Sequence, residues 1–125
     1  MTVGNTLSAF CDKHESFALV LGAAAAVVLR CAVAVFPHSG EATPPMYGDF
    51  EAQRHWMEIT TALPAWQWYE NSTDNDLLYW GLDYPPLTAY HSLLLGRVGN
   101  EFVPECFALG ASRGHESPAC RRFMR

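Results

Sequence analysis

The chain has 125 residues, 50% of them hydrophobic, and a net charge of -5 from 13 acidic against 8 basic side chains. That length amounts to about one domain, and the hydrophobic share alone does not separate soluble from membrane classes. With no basic block other than Arg121, Arg122 and Arg125 at the end, a nucleic-acid partner is disfavoured, because neutralising phosphates needs clustered cations.

Residues 17–36 read FALVLGAAAAVVLRCAVAVF, with Arg30 as the one charge and Pro37 directly after. As a helix this stretch is about 30 Å long, the thickness of a bilayer's hydrocarbon core. An arginine at the bilayer centre costs roughly 2.5–3.5 kcal/mol, and each Phe, Leu or Val returns roughly 0.3–0.6 kcal/mol. Arg30 also lies about 9 Å from the expected helix end, close enough for its guanidinium to reach the interface. The other reading is a cleaved signal peptide, for which Ala32-Val33-Ala34 resembles a cleavage site. The anchor is preferred because the apolar run is longer than a usual signal core and Lys13 is the one fixed positive charge before it. Charge bias does not orient the span.

After Pro37 the chain turns polar and aromatic. Ala52, Trp56, Ile59 and Leu63 recur at helical spacing, so a helix is expected over 50–63, ended by Pro64. Asp49, after Gly48, stands where an N-cap belongs. Glu51, Arg54, His55 and Glu58 occupy the other face. Glu51 and His55, four apart, have metal-ligand spacing, but a solvated side-chain pair is the more common outcome.

Further on, Asn71-Ser72-Thr73 is a glycosylation acceptor triplet that matters only on a lumenal side. Pro86 is expected to open a second helix through His91 to Leu95. Aromatic residues make up 13% of the chain and crowd between Tyr47 and Tyr90. Flat rings beside carboxylates suit a sugar, whose C–H face stacks while its hydroxyls need acceptors. Composition alone favours instead that the rings pack the loop or sit at a membrane interface. The residues from 96 on are less regular. Cys11, Cys31, Cys106 and Cys120 have no C-x-x-C spacing, which disfavours a zinc or thioredoxin-type site and leaves at most one plausible bridge, Cys106 to Cys120.

The run YGDFEAQRHWMEITTALPAWQWYENSTDNDLLYWGLDYPPLTAYHSLL, followed by SRGHES at 112–117 and RFMR at 122–125, resembles the first lumenal loop of the dolichyl-phosphate-glucose-dependent alpha-1,3-glucosyltransferases of the endoplasmic reticulum. GDFEAQRHW and WGLDYPPLTAYHS are more similar to the enzyme adding the first glucose than to its sister adding the second. The resemblance implies a mainly α architecture, the N-terminal part of a polytopic GT-C membrane glycosyltransferase. It implies a cytosolic segment 1–16, a transmembrane helix 17–36 and a lumenal loop 37–125. It also implies glucose transfer from dolichyl-phosphate-glucose to a lipid-linked oligosaccharide acceptor during protein N-glycosylation, without metal or other cofactor.

In that family an acidic residue near the start of the first lumenal loop is the catalytic base, and Asp49 is the matching position, forming a D-x-E pair with Glu51. Inversion from a β-linked donor to an α linkage needs one such carboxylate and no covalent intermediate. Arg54, Asp83 and Arg113 lie inside the matched runs as candidates to orient sugar or phosphate, with a structural ion pair an equal reading for each, and Glu51 is a candidate to position the acceptor or to favour the helix N-terminus through its charge. A GT-C enzyme has many membrane spans and this sequence offers one, so the chain alone is expected to be inactive. The competing reading is a single-pass or secreted lumenal carbohydrate-binding module without catalysis.

Overall fold

The computed structural model describes residues 3–125, with side chains from His14 onward. It is helical, with no strand among the described residues, and divides into two units, one ending at Pro37 and the other running His38–Arg125.

The first unit is helix α1, Val3–Val33. Its window His14–Val33 is long and apolar enough to cross a membrane, and none of that window is buried within the unit. The helix ends three residues short of the expected 17–36 span. Phe36 precedes Pro37, a placement that disfavours helical backbone. The last turns therefore tighten, with Ala34 N–H donating to the Arg30 carbonyl at 2.9 Å but Phe36 N–H donating to that of Val33, three residues back, at 3.1 Å. Arg30 falls in the last helical turn, about 4.5 Å from its end rather than 9 Å. A cation there faces the negative end of the helix dipole.

The second unit is built around helix α2, Gly48–Ala62. Ala52, Trp56 and Ile59 form one stripe and pack with Trp68, Leu82 and Ala89, with Leu63 and Trp80 at the margin. Phe50 and Met57 lie on another side, against Val103, Cys106, Phe107 and Cys120. The expected apolar stripe is therefore present, and the helix is covered well beyond it. Leu63 leaves helical geometry and Pro64 opens a short 3-10 turn, Ala65–Gln67.

Helix α3, Pro86–Phe102, starts on its proline and runs seven residues past the expected Leu95. It packs on α2 with Ala89 in the Ala52–Trp56–Ile59 cluster and Gly96 against Met57 and Thr61, while Gly99 lies against Phe107 and Phe123. At Gly96 a methyl group would sit 2.8 Å from the Met57 carbonyl oxygen, so the close approach of the two helices depends on glycine there. A 3-10 turn, Pro104–Cys106, and the short helix α4, Pro118–Met124, complete the unit. The Ser117 hydroxyl caps α4 by accepting from Cys120 N–H at 3.2 Å. Cys106 and Cys120 are bridged, with Cα atoms 5.6 Å apart, while Cys31 is free and exposed.

Asn75 organises the loop between α2 and α3. It is fully buried, and its amide donates to the carbonyls of Gln67, Trp68 and Glu70 at 2.9–3.1 Å. Asn71 stays exposed on the same loop, its side-chain oxygen accepting from Leu77 N–H.

Candidate active site: an acidic cleft over a buried charge network

Asp49 is the second residue of α2 and not its cap. Tyr47 occupies the cap position with φ 59° and makes no side-chain capping bond. Gly48 follows at φ 67°, where a methyl group would lie 2.7 Å from the Ser39 carbonyl carbon. Two successive left-handed residues turn the chain sharply into the helix, and the second has room for nothing larger than hydrogen. The turn moves Asp49 two places from the cap into the first turn, where its charge still faces the positive end of the helix dipole. Its carboxylate is exposed and has neither a hydrogen bond nor an ion pair among the described residues.

A cleft of about 380 Å³ opens beside it, lined by Asp49, Gln53 and Trp56 of α2 and by Trp80, Asp83 and Tyr84 of the segment before α3. Asp83 is likewise exposed and without a side-chain partner among the described residues. Two free carboxylates, an amide and three aromatic residues therefore line one concavity, which offers acceptors for sugar hydroxyls and flat surface for a sugar ring. Gln53, Trp80 and Tyr84 carried no separate signal in sequence. Their common position becomes visible only when the 80–84 segment folds back against α2.

Glu51 and Arg54 occupy a different environment. Both side chains are 0% exposed. The Arg54 guanidinium grips Glu51 as a fork, Nε to Oε2 at 2.7 Å and Nη2 to Oε1 at 2.6 Å. Its Nη1 reaches Glu58 Oε2 at 2.7 Å, the Ser112 hydroxyl at 2.6 Å and the Cys106 carbonyl at 2.8 Å. The Tyr79 hydroxyl donates to Glu51 Oε1 at 2.8 Å, and Gly110 N–H and the Ser112 hydroxyl donate to Glu58. The expected solvated Glu51–His55 pair is not formed. His55 is buried instead, with Nδ1 3.5 Å from Glu58 Oε2 and its ring edge-on to Tyr79. Helical spacing puts these residues on one face but does not say whether water or protein covers it, and the 106–112 segment covers it here.

The network holds its charges through mutual compensation. Burial alone raises a carboxyl's pKa, but at Glu58 the His55 contact, the Arg54 guanidinium and the Gly110 amide reverse that and hold it at about 2. Burial works against the Arg54 charge, and Glu51 with Glu58 outweighs it, so its pKa is raised. The Tyr79 phenol is pushed up by burial and by its bond to Glu51, which keeps it a donor.

The 112–117 run braces this arrangement. Arg113 is exposed and lies 4.3 Å over the Tyr79 ring, a cation–π contact. Glu116 accepts from Ala42 N–H at 3.0 Å and lies 3.5 Å from the His38 ring, while Arg121 pairs with Glu41. The C-terminal residues thus hold the 38–47 loop that leads into Asp49. That loop-holding role was not foreseen, because contacts 74 to 80 residues apart leave no periodic trace.

Residues 26–125 match the model of the ALG6, ALG8 glycosyltransferase family. The chain is 61% identical over 101 residues to a probable dolichyl pyrophosphate Man9GlcNAc2 alpha-1,3-glucosyltransferase of Caenorhabditis elegans, covering 78% of this chain and 20% of that protein. It is 62% identical over 104 residues to the Saccharomyces cerevisiae dolichyl pyrophosphate Man9GlcNAc2 alpha-1,3-glucosyltransferase, covering 80% and 18%. The same-named mouse protein is 59% identical over 99 residues, covering 79% and 20%. The chain spans about a fifth of the length of these curated relatives.

Proposed function

The chain belongs to the ALG6, ALG8 glycosyltransferase family, and on that premise we propose that it carries the catalytic base for glucosyl transfer to a lipid-linked Man9GlcNAc2 acceptor. The donor is dolichyl-phosphate-glucose and the product linkage is alpha-1,3. The observation that carries this reading is the free Asp49 carboxylate on a cleft shared with Asp83, Trp56, Trp80 and Tyr84.

The reaction is a single displacement. Asp49 takes the proton of the acceptor mannose hydroxyl as that oxygen attacks the anomeric carbon of the donor glucose from the face opposite the phosphate. The glycosidic C–O bond to phosphate breaks, and the lipid phosphate leaves with the bonding pair. A carboxylate with no competing partner keeps its lone pairs for that proton. Asp83 and Gln53 accept from or donate to sugar hydroxyls across the cleft. Arg113, exposed on Tyr79, supplies a cation suited to the departing phosphate. Glu51 and Arg54, being enclosed, act in this reading by fixing α2 and not by touching substrate.

The same reading places the 38–125 unit in the lumen of the endoplasmic reticulum, with α1 in the membrane. The Cys106–Cys120 bridge supports an oxidising compartment, and exposed Asn71 makes its acceptor triplet available there. Asp49→Asn in the full-length protein tests the assignment. Loss of transfer by about 100-fold or more, with folding preserved, is expected of a general base. Retained transfer would remove Asp49 from the mechanism.

A further inference from the structure

Neither Asp49 nor Asp83 has a side-chain partner among the described residues, so the distance between the two carboxylates across the cleft is set by the backbone. Trp80 joins the two backbones that carry them. Its indole N–H donates to the Met46 carbonyl at 2.6 Å, three residues before Asp49. Its own carbonyl accepts from the Trp56 indole at 2.8 Å, one α2 turn beyond Gln53. Met46 O belongs to the same peptide group as Tyr47 N–H, which donates to Thr43 O at 3.0 Å. Both ends of that peptide plane are therefore bonded, immediately before the left-handed Tyr47 and Gly48 that aim α2.

The strain at this point is itself informative. Trp80 sits at φ 50°, a left-handed conformation that bulky non-glycine residues rarely adopt and that persists only where surrounding contacts hold it. Core packing alone does not require it, since Trp80 is only half-buried at the margin of its cluster. What the conformation achieves is to direct the indole N–H at Met46 and the carbonyl at Trp56 together.

We propose that Trp80 is a positioning residue of the transfer reaction: its two hydrogen bonds set the Asp49 wall of the cleft against the Asp83 wall. This rests on the reading of Asp49 as base. Misplacement of a reacting group by about 1 Å can cost on the order of 100-fold in rate, and neither carboxylate has a tether of its own to resist it.

Trp80→Phe keeps an aromatic ring and removes the N–H. In the full-length protein, assayed with dolichyl-phosphate-glucose and lipid-linked Man9GlcNAc2, kcat is expected to fall roughly 10- to 100-fold. KM for the acceptor is expected to stay within about threefold, because phenylalanine still presents a flat ring at position 80 and Gln53, Asp83 and Tyr84 are unchanged. Site-specific β-(3-benzothienyl)alanine at position 80, which has the indole's shape without its N–H, should reproduce the kcat loss while the unfolding midpoint falls only by the few degrees expected of one lost hydrogen bond. It is also the deciding variant if Trp80→Phe does not fold. A kcat within about twofold of wild type for the isosteric variant, with Asp49→Asn inactive, would overturn the positioning role and leave the base assignment intact. Loss of rate only in proportion to loss of folded protein would also overturn it. An active Asp49→Asn would instead defeat the reading on which it rests.

Discussion

Replacing Arg54 by methionine isolates the buried network. The guanidinium makes five polar contacts at 2.6–2.8 Å to Glu51, Glu58, Ser112 and the Cys106 carbonyl, all enclosed. Methionine fills similar volume but leaves two buried carboxylates without their cation. Breaking a buried pair in this way costs about 3–5 kcal/mol, a large part of the roughly 5–15 kcal/mol that holds an ordinary domain together. For a unit of this size, the unfolding midpoint of the full chain in detergent should fall by about 12 °C or more.

The pH dependence gives a second, sharper readout. In the wild type, Glu58 is held at about 2 against an ordinary value of 4.5. Its contribution, about 3 kcal/mol by linkage, is present above 4.5 and lost as pH falls through 2. In Arg54→Met, burial and the neighbouring Glu51 carboxylate favour protonated Glu58, opposed only by His55, Ser112 and the Gly110 amide. The variant should therefore gain stability relative to wild type as pH falls from 7 toward 4.5, a range over which the wild-type contribution of Glu58 stays constant. Thermal unfolding of both proteins across that range decides the matter. A variant within about 1 kcal/mol of wild type, with an unchanged pH slope, would refute the reasoning that the network depends on its central cation.

Other perturbations separate the cleft from its support. Asp49→Asn should shift stability by no more than about 1 kcal/mol, the value of a charge in the first helical turn, even as transfer is lost; unfolding curves of the purified variant test this. Gly48→Ala should lower the unfolding midpoint and the transfer rate together, because the added methyl meets Ser39 backbone at 2.7 Å and the left-handed φ costs about 1–3 kcal/mol in addition. A wild-type midpoint for that variant would show that the turn can relax. Reducing the Cys106–Cys120 bridge, or substituting Cys120→Ser, should cost about 3 kcal/mol for the loop it closes. It should also loosen the Cys106 carbonyl that Arg54 uses, which faster amide exchange at Arg54 and Glu58 would report.

Local features were sufficient to identify the membrane-spanning part of α1 from its apolar run, the apolar stripe of α2 from neighbours three or four residues apart, and the start of α3 from Pro86. The long matched runs singled out Asp49 as the candidate base. Tertiary structure decided what surrounds those residues. It moved Asp49 from cap to first turn through the left-handed Tyr47–Gly48 pair. It enclosed Glu51, Arg54, His55 and Glu58 with the 106–112 segment. It also brought Trp80, Asp83 and Tyr84 against α2 to make the cleft. The physical reason is common to all three. Helical spacing specifies which side chains share a face, but whether that face meets water, a carbonyl or another carboxylate depends on contacts between residues far apart in the chain.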